Sequence, residues 1–392
     1  MSPAAEVWDL TTVAEDEVVF HLHSPDPLAE PGEEESWPGP GYEVLSGLRP
    51  GSPIRRHGLE ARTLDRPPGE LLCRFATVND VHFGETECGK VADLGDVLGH
   101  FTTAGSDSGD ATEATDRLQA MLDRLGPAVV SSSPEGAPPY PEVMSRAAVA
   151  EIAAIDPVAV VAKGDLTASG LLTEYDAFLE CYLNAFGDRL VHVRGNHDAF
   201  TGRRYASEPF QERELPGVIL AVLDTVIEGR DSGQVREDQL EWLDELATRA
   251  DRPVLVFGHH HVWKPGSAHR APTYFGINPD DSESLVEVVA RRPAIIGYFA
   301  GHTHRNRVRR FVETGDVPYA EVACVKDFPG SWAEYRVFEG GVLQVHRRLS
   351  SRDALAWSEQ CRRMFWGLYP GYAFGSLGDR CFPILPRAGR GS

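Results

Sequence analysis

Cysteine is sparse and never paired at short range. The six cysteines (Cys73, Cys88, Cys181, Cys324, Cys361, Cys381) are scattered through 392 residues with no Cys-x-x-Cys. That argues against a disulfide framework, and reduced, mostly buried thiols in a cytoplasmic protein are expected. Long hydrophobic runs are missing as well. None approaches the roughly 18 residues of a membrane-spanning helix, and residues 1–10 have neither the basic nor the apolar region of a secretory leader. Positive charge is in short supply, with 38 Lys and Arg against 59 Asp and Glu, a formal net charge of −21. Such a balance opposes a polyanionic partner, so no duplex nucleic acid is expected to bind. A small anionic substrate stays compatible, because bound metal ions can reverse the local field. Neither an internal repeat nor a low-complexity block occurs, and the oligomeric state is invisible in the sequence.

What is present is ordinary for a globular chain: 42% hydrophobic and 25% charged residues. Residues 1–72 read as a small β-rich module or arm, with a strand over 17–23 and an acidic Pro/Gly-rich stretch over 31–50. His21 and His23 share the i, i+2 spacing of a metal pair, but without a third ligand nearby they read as exposed histidines of an edge strand. A main domain over 73–350 opens with a strand at 74–78, followed by a long irregular stretch over 85–115 and a Ser/Pro/Gly loop at 131–141. Helices are expected over 116–125, 142–155, 172–186, 237–249 and 282–290. Strands are expected over 157–163, 190–194, 218–223, 253–257 and 294–299. Four short strands at 308–313, 319–323, 333–338 and 342–347 read as one antiparallel group. Residues 351–392 add a helix over 353–365 and an aromatic, Gly-rich tail with Tyr369, Tyr372, Phe374 and Phe382, packed on the domain.

Five of the strand ends carry chemistry. They are Asp80-Val81-His82, Gly164-Asp165, Gly195-Asn196-His197-Asp198, Gly258-His259-His260-His261 and Gly301-His302-Thr303-His304. Ligands gather beyond the carboxyl ends of strands in open α/β sheets, so these tips are expected to meet. Side chains at i and i+2 of an extended segment share a face, which would let Asp80 and His82 grip one ion together. His302 and His304 are spaced to serve two neighbouring ions. The mix of carboxylate, amide and imidazole suits Mn, Fe or Zn better than Ca or thiolate-seeking metals.

In this order the motifs resemble those of the calcineurin-like metallophosphoesterase superfamily: Asp-x-His, Gly-Asp, Gly-Asn-His-Asp, a histidine after a strand, and Gly-His-x-His. The likeness covers about residues 74–349 and implies an α/β fold, an α+β sandwich. Two mixed β-sheets would pack face to face, flanked by helices, with the metal site at the strand C-terminal ends. It implies a first ion on Asp80, His82 and His304, and a second on Asn196, His302 and one histidine of 259–261. Asp165 would bridge the two. His260 is the expected member of the run, His259 the runner-up, and Val262 stands where a proline is usual.

The activity so implied is that of a dinuclear metal-dependent phosphoesterase. Ions about 3.5–4 Å apart share a hydroxide and clamp the phosphoryl oxygens for in-line attack. His197, beside a ligand, is the expected general acid for the leaving alkoxide. Asp198 orients it or caps a following helix. Gly164-Asp165-Leu166-Thr167-Ala168-Ser169-Gly170 departs from the Gly-Asp-x-x-Asp-Arg-Gly of protein phosphatases. That points to the branch resembling bacterial cyclic-nucleotide phosphodiesterases and glycerophosphodiesterases, with a small phosphodiester as substrate. The alternatives are a phosphomonoesterase or protein phosphatase of the same superfamily, and a non-catalytic binding member.

The remaining polar residues read as structural. Arg194 and Lys163 are expected to be core-edge cations paired with acids, and His192 a buried, hydrogen-bonded strand residue. His100, His269 and His346 are expected at the surface, and Glu33 to Glu35 in a solvated loop.

Overall fold

A computed structural model describes residues 7–26, 28, 37–89, 131–202, 204–267 and 275–387. The expected helix at 116–125, most of the 85–115 stretch, His100, His269 and the acidic run at 33–35 lie outside the described residues.

The order of apolar residues along the strands dictates four layers. In β6 (Leu71–Val78) and β9 (Val160–Lys163) alternate side chains face opposite ways. Phe75 and Val161 enter the core between the two large sheets, whereas Ala76, Val78, Val160 and Ala162 join the core beneath the helices. β10 (Leu190–Val193) lies parallel to β9, and β9 parallel to β6. Antiparallel β17 (Ser331–Phe338), β18 (Gly341–Arg348) and β19 (Phe382–Ile384) complete a six-stranded mixed sheet of order β10-β9-β6-β17-β18-β19.

The second sheet runs β11 (Phe210–Leu215), β12 (Val218–Leu223), β13 (Val254–Phe257), β14 (Ile295–Ala300), β16 (Tyr319–Glu321) and β15 (Arg307–Arg309). From β12 through β16 its neighbours are parallel. Leu220, Val222, Leu255, Phe257 and Phe299 pack inward against the first sheet, where Phe75 stacks on Tyr335 at 4.6 Å. Ile219, Ala221, Val254 and Val256 face outward onto α3 (Glu237–Arg249) and α4 (Pro279–Arg291) through Leu243, Leu246, Leu285 and Val289. On the other flank α1 (Tyr140–Ala154), α2 (Leu172–Phe186) and α5 (Arg352–Cys361) cover the first sheet. The fold is therefore an α/β sandwich of two mixed sheets between helices. Burying apolar side chains from both faces of each sheet supplies most of the driving force for such a stack.

Three expectations need correction. The four late strands do not form one antiparallel group: β17 and β18 enter the first sheet, and β15 and β16 the second. Which sheet receives them depends on neighbours distant in sequence, β6 for β17 and β14 for β16, so local pattern does not reveal it. His346 on β18 is buried, its ring near Phe374. His21 and His23 are buried as well, on β2 (Glu17–His23), the middle strand between β1 (Val7–Val13) and β3 (Gly41–Ser46). His21 Nδ1 meets the Thr11 hydroxyl at 2.7 Å, and His23 is held by Glu359 of α5 at 2.5 Å and Asp9 at 3.1 Å. Glu359 lies 336 residues from His23, so the spacing alone could not reveal the burial.

The N-terminal strands dock on β18 and the tail. Thr12 donates to the His346 carbonyl at 2.7 Å, and Arg336 of β17 pairs with Glu15, Asp16 and Glu17. A hairpin of β4 (Pro53–Arg56) and β5 (Leu59–Arg62) follows, and β7 (Glu87–Cys88) pairs with β8 (Ser131–Ser132). The C-terminal segment continues through a short 3-10 turn (Met364–Gly367) into α6 (Tyr369–Ala373) and α7 (Leu377–Arg380). Among the described residues no helix is long and apolar enough to cross a membrane.

Candidate metal centre

Parallel strands β6, β9, β10, β13 and β14 finish on one side of the sandwich, and the residues after them meet there. The backbone does not meet as an extended pleat. Asp80, His82, Asp165, His302 and His304 all have positive φ, between 47° and 69°. Non-glycine residues in this left-handed region cost free energy, and their concentration at one place is characteristic of functional sites. The shared facing of Asp80 with His82, and of His302 with His304, therefore comes from these sharp turns rather than from strand alternation. Gly195 shows why the turn after β10 has no side chain: a Cβ there would collide with the Asp165 carboxylate.

Asp165 is the hub. Its Oδ2 lies 3.4 Å from His82 Nε2 and 3.3 Å from His259 Nε2, and its Oδ1 accepts the His197 backbone N–H at 3.0 Å. Asp80 accepts the His302 backbone N–H at 3.0 Å, and its Oδ1 lies 3.5 Å from His304 Nε2. Three sets of donor atoms follow, Asp80/His82/His304, Asp80/Asp165/His259 and His82/Asp165/His197, each within 4.8 Å of one another. His302 joins a further set with His259 and His260.

The histidine run is sorted by its hydrogen bonds. His259 Nδ1 lies 2.8 Å from the Lys163 carbonyl, which can only accept, so Nδ1 carries the proton and Nε2 presents a lone pair. That Nε2 stands 3.1 Å from Asn196 Oδ1. The Asn196 amide is aimed by donation from Nδ2 to Asp231 at 3.2 Å. His260 instead places Nδ1 2.8 Å from the Thr225 hydroxyl, while its Nε2 has no hydrogen-bond partner. His261 is buried further from the hub, with Gly276 closing over it.

A metal would answer several unmet demands. Both ring nitrogens of His82, Nε2 of His260 and Nε2 of His302 are buried without hydrogen bonds. Orphaned buried polar atoms are costly, and neutral imidazole is the form that ligates. Burial drives the pKa values of His82, His260 and His302 well below the ordinary range, keeping them neutral. His259 behaves oppositely. Burial pushes it down, but Asp165 overrides this and brings it up to about 9. A metal held by Asp165 and the Nε2 lone pair of His259 would compete with protonation of that nitrogen. The donor set of carboxylate, amide and imidazole thus fits a dinuclear site for borderline transition metals.

His197 faces the same centre, its ring 4.4 Å from that of His82 and 4.7 Å from Phe200. Its Nδ1 donates to the Ala168 carbonyl at 2.7 Å. Asp198 does not touch it. The Asp198 carboxylate is fully buried and accepts from Gly195 N (2.7 Å), Leu166 N (3.1 Å), Thr167 N (2.9 Å) and Thr167 Oγ1 (2.7 Å), tying the β9 and β10 loops together. Arg194 pairs with Asp224 at 2.7 Å and Glu228 at 2.8 Å, as expected of a core-edge cation. Lys163 differs from expectation: fully buried, it donates to the Ala300 carbonyl at 2.9 Å and has no carboxylate in ion-pair range among the described residues. His192, bonded to the Tyr175 hydroxyl at 2.7 Å, is structural as expected.

Sequence reasoning missed Asp327. It lies buried 3.2 Å from His304 Nδ1 and belongs to no motif. Its only signal is its place in the loop between β16 and β17, which becomes adjacent to His304 on folding.

The clustered carboxylate, amide and imidazole donors are of the kind that can hold two metal ions. Residues 73–306 match the model of the calcineurin-like phosphoesterase family, and the chain belongs to that family, whose members are dinuclear metal-dependent hydrolases of phosphoric esters. It is 32% identical over 173 residues to a cAMP/cGMP dual specificity phosphodiesterase of Mycobacterium tuberculosis, covering 40% of this chain and 51% of that protein. With a probable glycerophosphodiester phosphodiesterase, GpdQ, of Arcobacter nitrofigilis it shares 27% over 160 residues, 38% of this chain and 57% of the relative. The chain thus spans little more than half the length of these curated relatives. A dimetal phosphatase of Danio rerio superposes with a TM-score of 0.48 at 15% identity, covering 81% of this chain and all of the other.

Proposed function

We propose that this protein is a dinuclear metal phosphodiesterase acting on a small diester of the cyclic-nucleotide or glycerophosphodiester type. The observation that carries the reading is the position of Asp165, whose carboxylate reaches both His82 at 3.4 Å and His259 at 3.3 Å. Asp80, His82 and His304 would hold one ion, and Asn196, His259 and His302 the other, with Asp165 shared. His260 would stand behind His302 as a neighbour rather than as the principal donor. Bound ions supply Lewis-acid activation of the attacking water and of the phosphoryl oxygens.

The chain's own residues do the rest. With Nδ1–H committed to Ala168, the second proton of the His197 imidazolium sits on Nε2, facing the centre. As the P–O bond to the leaving group breaks, that proton passes to the departing oxygen. Phe200, exposed beside His197, offers an apolar wall to the leaving group. A diester is favoured over a monoester because the cations adjoining the cluster in sequence are committed. Lys163 is bound to Ala300, Arg194 to Asp224, Arg305 to Glu321 and Lys326 to Glu85. A dianionic monoester would require additional positive charge. The names of the two curated relatives point the same way.

The test strips the protein of metal and restores Mn²⁺, Fe²⁺ or Zn²⁺ singly, comparing a chromogenic diester with its monoester, then cyclic nucleotides with glycerophosphodiesters. Metal-restored cleavage favouring the diester is expected. A monoester preference would reject the phosphodiesterase reading, and a protein that neither binds metal nor turns over would reject the enzyme.

A further inference from the structure

The C-terminal segment reaches the metal centre twice. Tyr369, at the start of α6, donates its hydroxyl to Asp327 Oδ1 at 2.8 Å, and Asp327 Oδ2 faces His304 Nδ1 at 3.2 Å. Tyr372, one turn on, donates to the Thr303 carbonyl at 2.8 Å, between His302 and His304. Three further contacts hold the segment on the same loop. Asn306 N donates to the Ala373 carbonyl at 2.9 Å, Asn306 Nδ2 to the Phe374 carbonyl at 3.2 Å, and the Arg305 guanidinium lies 5.3 Å from the Tyr372 ring centre.

Asp327 is a fully enclosed carboxylate whose lone pairs are all used. Besides Tyr369 and His304, it receives Cys324 Sγ at 2.8 Å and Cys88 Sγ at 3.6 Å. A carboxylate accepts only, so His304 must present Nδ1–H to it and keep its Nε2 lone pair for the side where Asp80 and His82 stand. Partners of this kind fix a ligand's tautomer and ring orientation and raise its basicity.

We propose that the segment from Tyr369 to Phe374 is a working part of the first metal site. Asp327 is the positioning residue for His304, Tyr369 holds Asp327 in place, and Tyr372 braces the loop carrying His302 and His304. The inference rests on the reading that Asp80, His82 and His304 hold an ion. It goes further, because it makes the metal affinity of the catalytic domain depend on docking of a segment outside the family-matched region of 73–306.

The test uses the full chain loaded with Mn²⁺. Stoichiometry is read by elemental analysis, affinities by titration, and pairing by electron paramagnetic resonance, where two coupled ions and one isolated ion give distinct spectra. In Asp327→Asn, an amide nitrogen turned to His304 Nδ1 forces the ring proton onto Nε2 and removes the ligand. One of the two ions should then bind about 10–100-fold more weakly, and the coupled spectrum should give way to that of an isolated ion. Tyr369→Phe leaves the carboxylate in place and should weaken the same ion, by less. Circular dichroism and the Tm of the metal-free forms identify misfolding; if Asp327→Asn misfolds, Tyr369→Phe alone decides. Two ions bound with wild-type affinity and coupling in the folded variants would overturn the proposal. A wild-type protein that binds no Mn²⁺ would instead overturn the metal centre on which it rests.

Discussion

His259 Nε2 stands 3.1 Å from Asn196 Oδ1 and 3.3 Å from Asp165 Oδ2, whereas the adjacent His260 turns its Nδ1 to Thr225. One step along the chain therefore separates a side chain aimed at the hub from one beside it. His259→Ala should lose more than the roughly 10–100-fold in metal affinity that even outer partners are worth, and His260→Ala distinctly less. Equal losses in Mn²⁺ titrations of the two variants would place both imidazoles on the ion.

His197 donates Nδ1–H to Ala168, so under the proposed mechanism Nε2 would be the nitrogen that protonates the leaving oxygen. A general acid matters most when the leaving oxygen is basic. His197→Ala should slow an alkyl diester by about 10²–10⁴-fold and a p-nitrophenyl diester much less. A kcat comparison of the two substrates measures this; equal slowing would remove His197 from proton transfer.

Asp198 acts on the loops rather than on His197, taking backbone N–H groups from Gly195, Leu166 and Thr167. In Asp198→Ala those buried donors lose their acceptor, and the cost should be about 2–4 kcal/mol. Urea denaturation would show it as a lower midpoint at unchanged slope. A variant as stable as wild type would mean that water replaces the carboxylate.

Glu334 on β17 is wholly buried between Arg336 (2.9 Å) and Arg347. Burial pushes its pKa up, but Arg347 and Arg336 outweigh this and hold it at about 2, against 4.5 for an ordinary glutamate. The folded carboxylate stays ionised where the unfolded chain has already taken up a proton. Its contribution is thus complete above about pH 4.5 and is lost as pH falls toward 2. Glu334→Gln should be less stable than wild type at pH 7 and should lose less stability over that acid window. Parallel curves in acid denaturation would show that Glu334 does not supply this pH dependence.

Glycine-punctuated strand ends made the five site motifs legible, and the family resemblance they carry implied the sandwich. Strand β12, β13 within a residue, and helices α2 and α3 follow directly from apolar periodicity, which is a local property. Motif order carried the family resemblance and the ligand types for the same reason, since each motif lies within a few residues. What the tertiary structure alone decided depends on partners distant in sequence. The different orientations of His259 and His260 rest on the Lys163 carbonyl and on Thr225, 96 and 35 residues away. His23 meets Glu359, His304 meets Asp327, and Asp327 meets Tyr369, all only in the folded chain. A histidine's tautomer and a carboxylate's charge are set by what folding brings within about 3 Å, and that proximity is not encoded in any short stretch of chain.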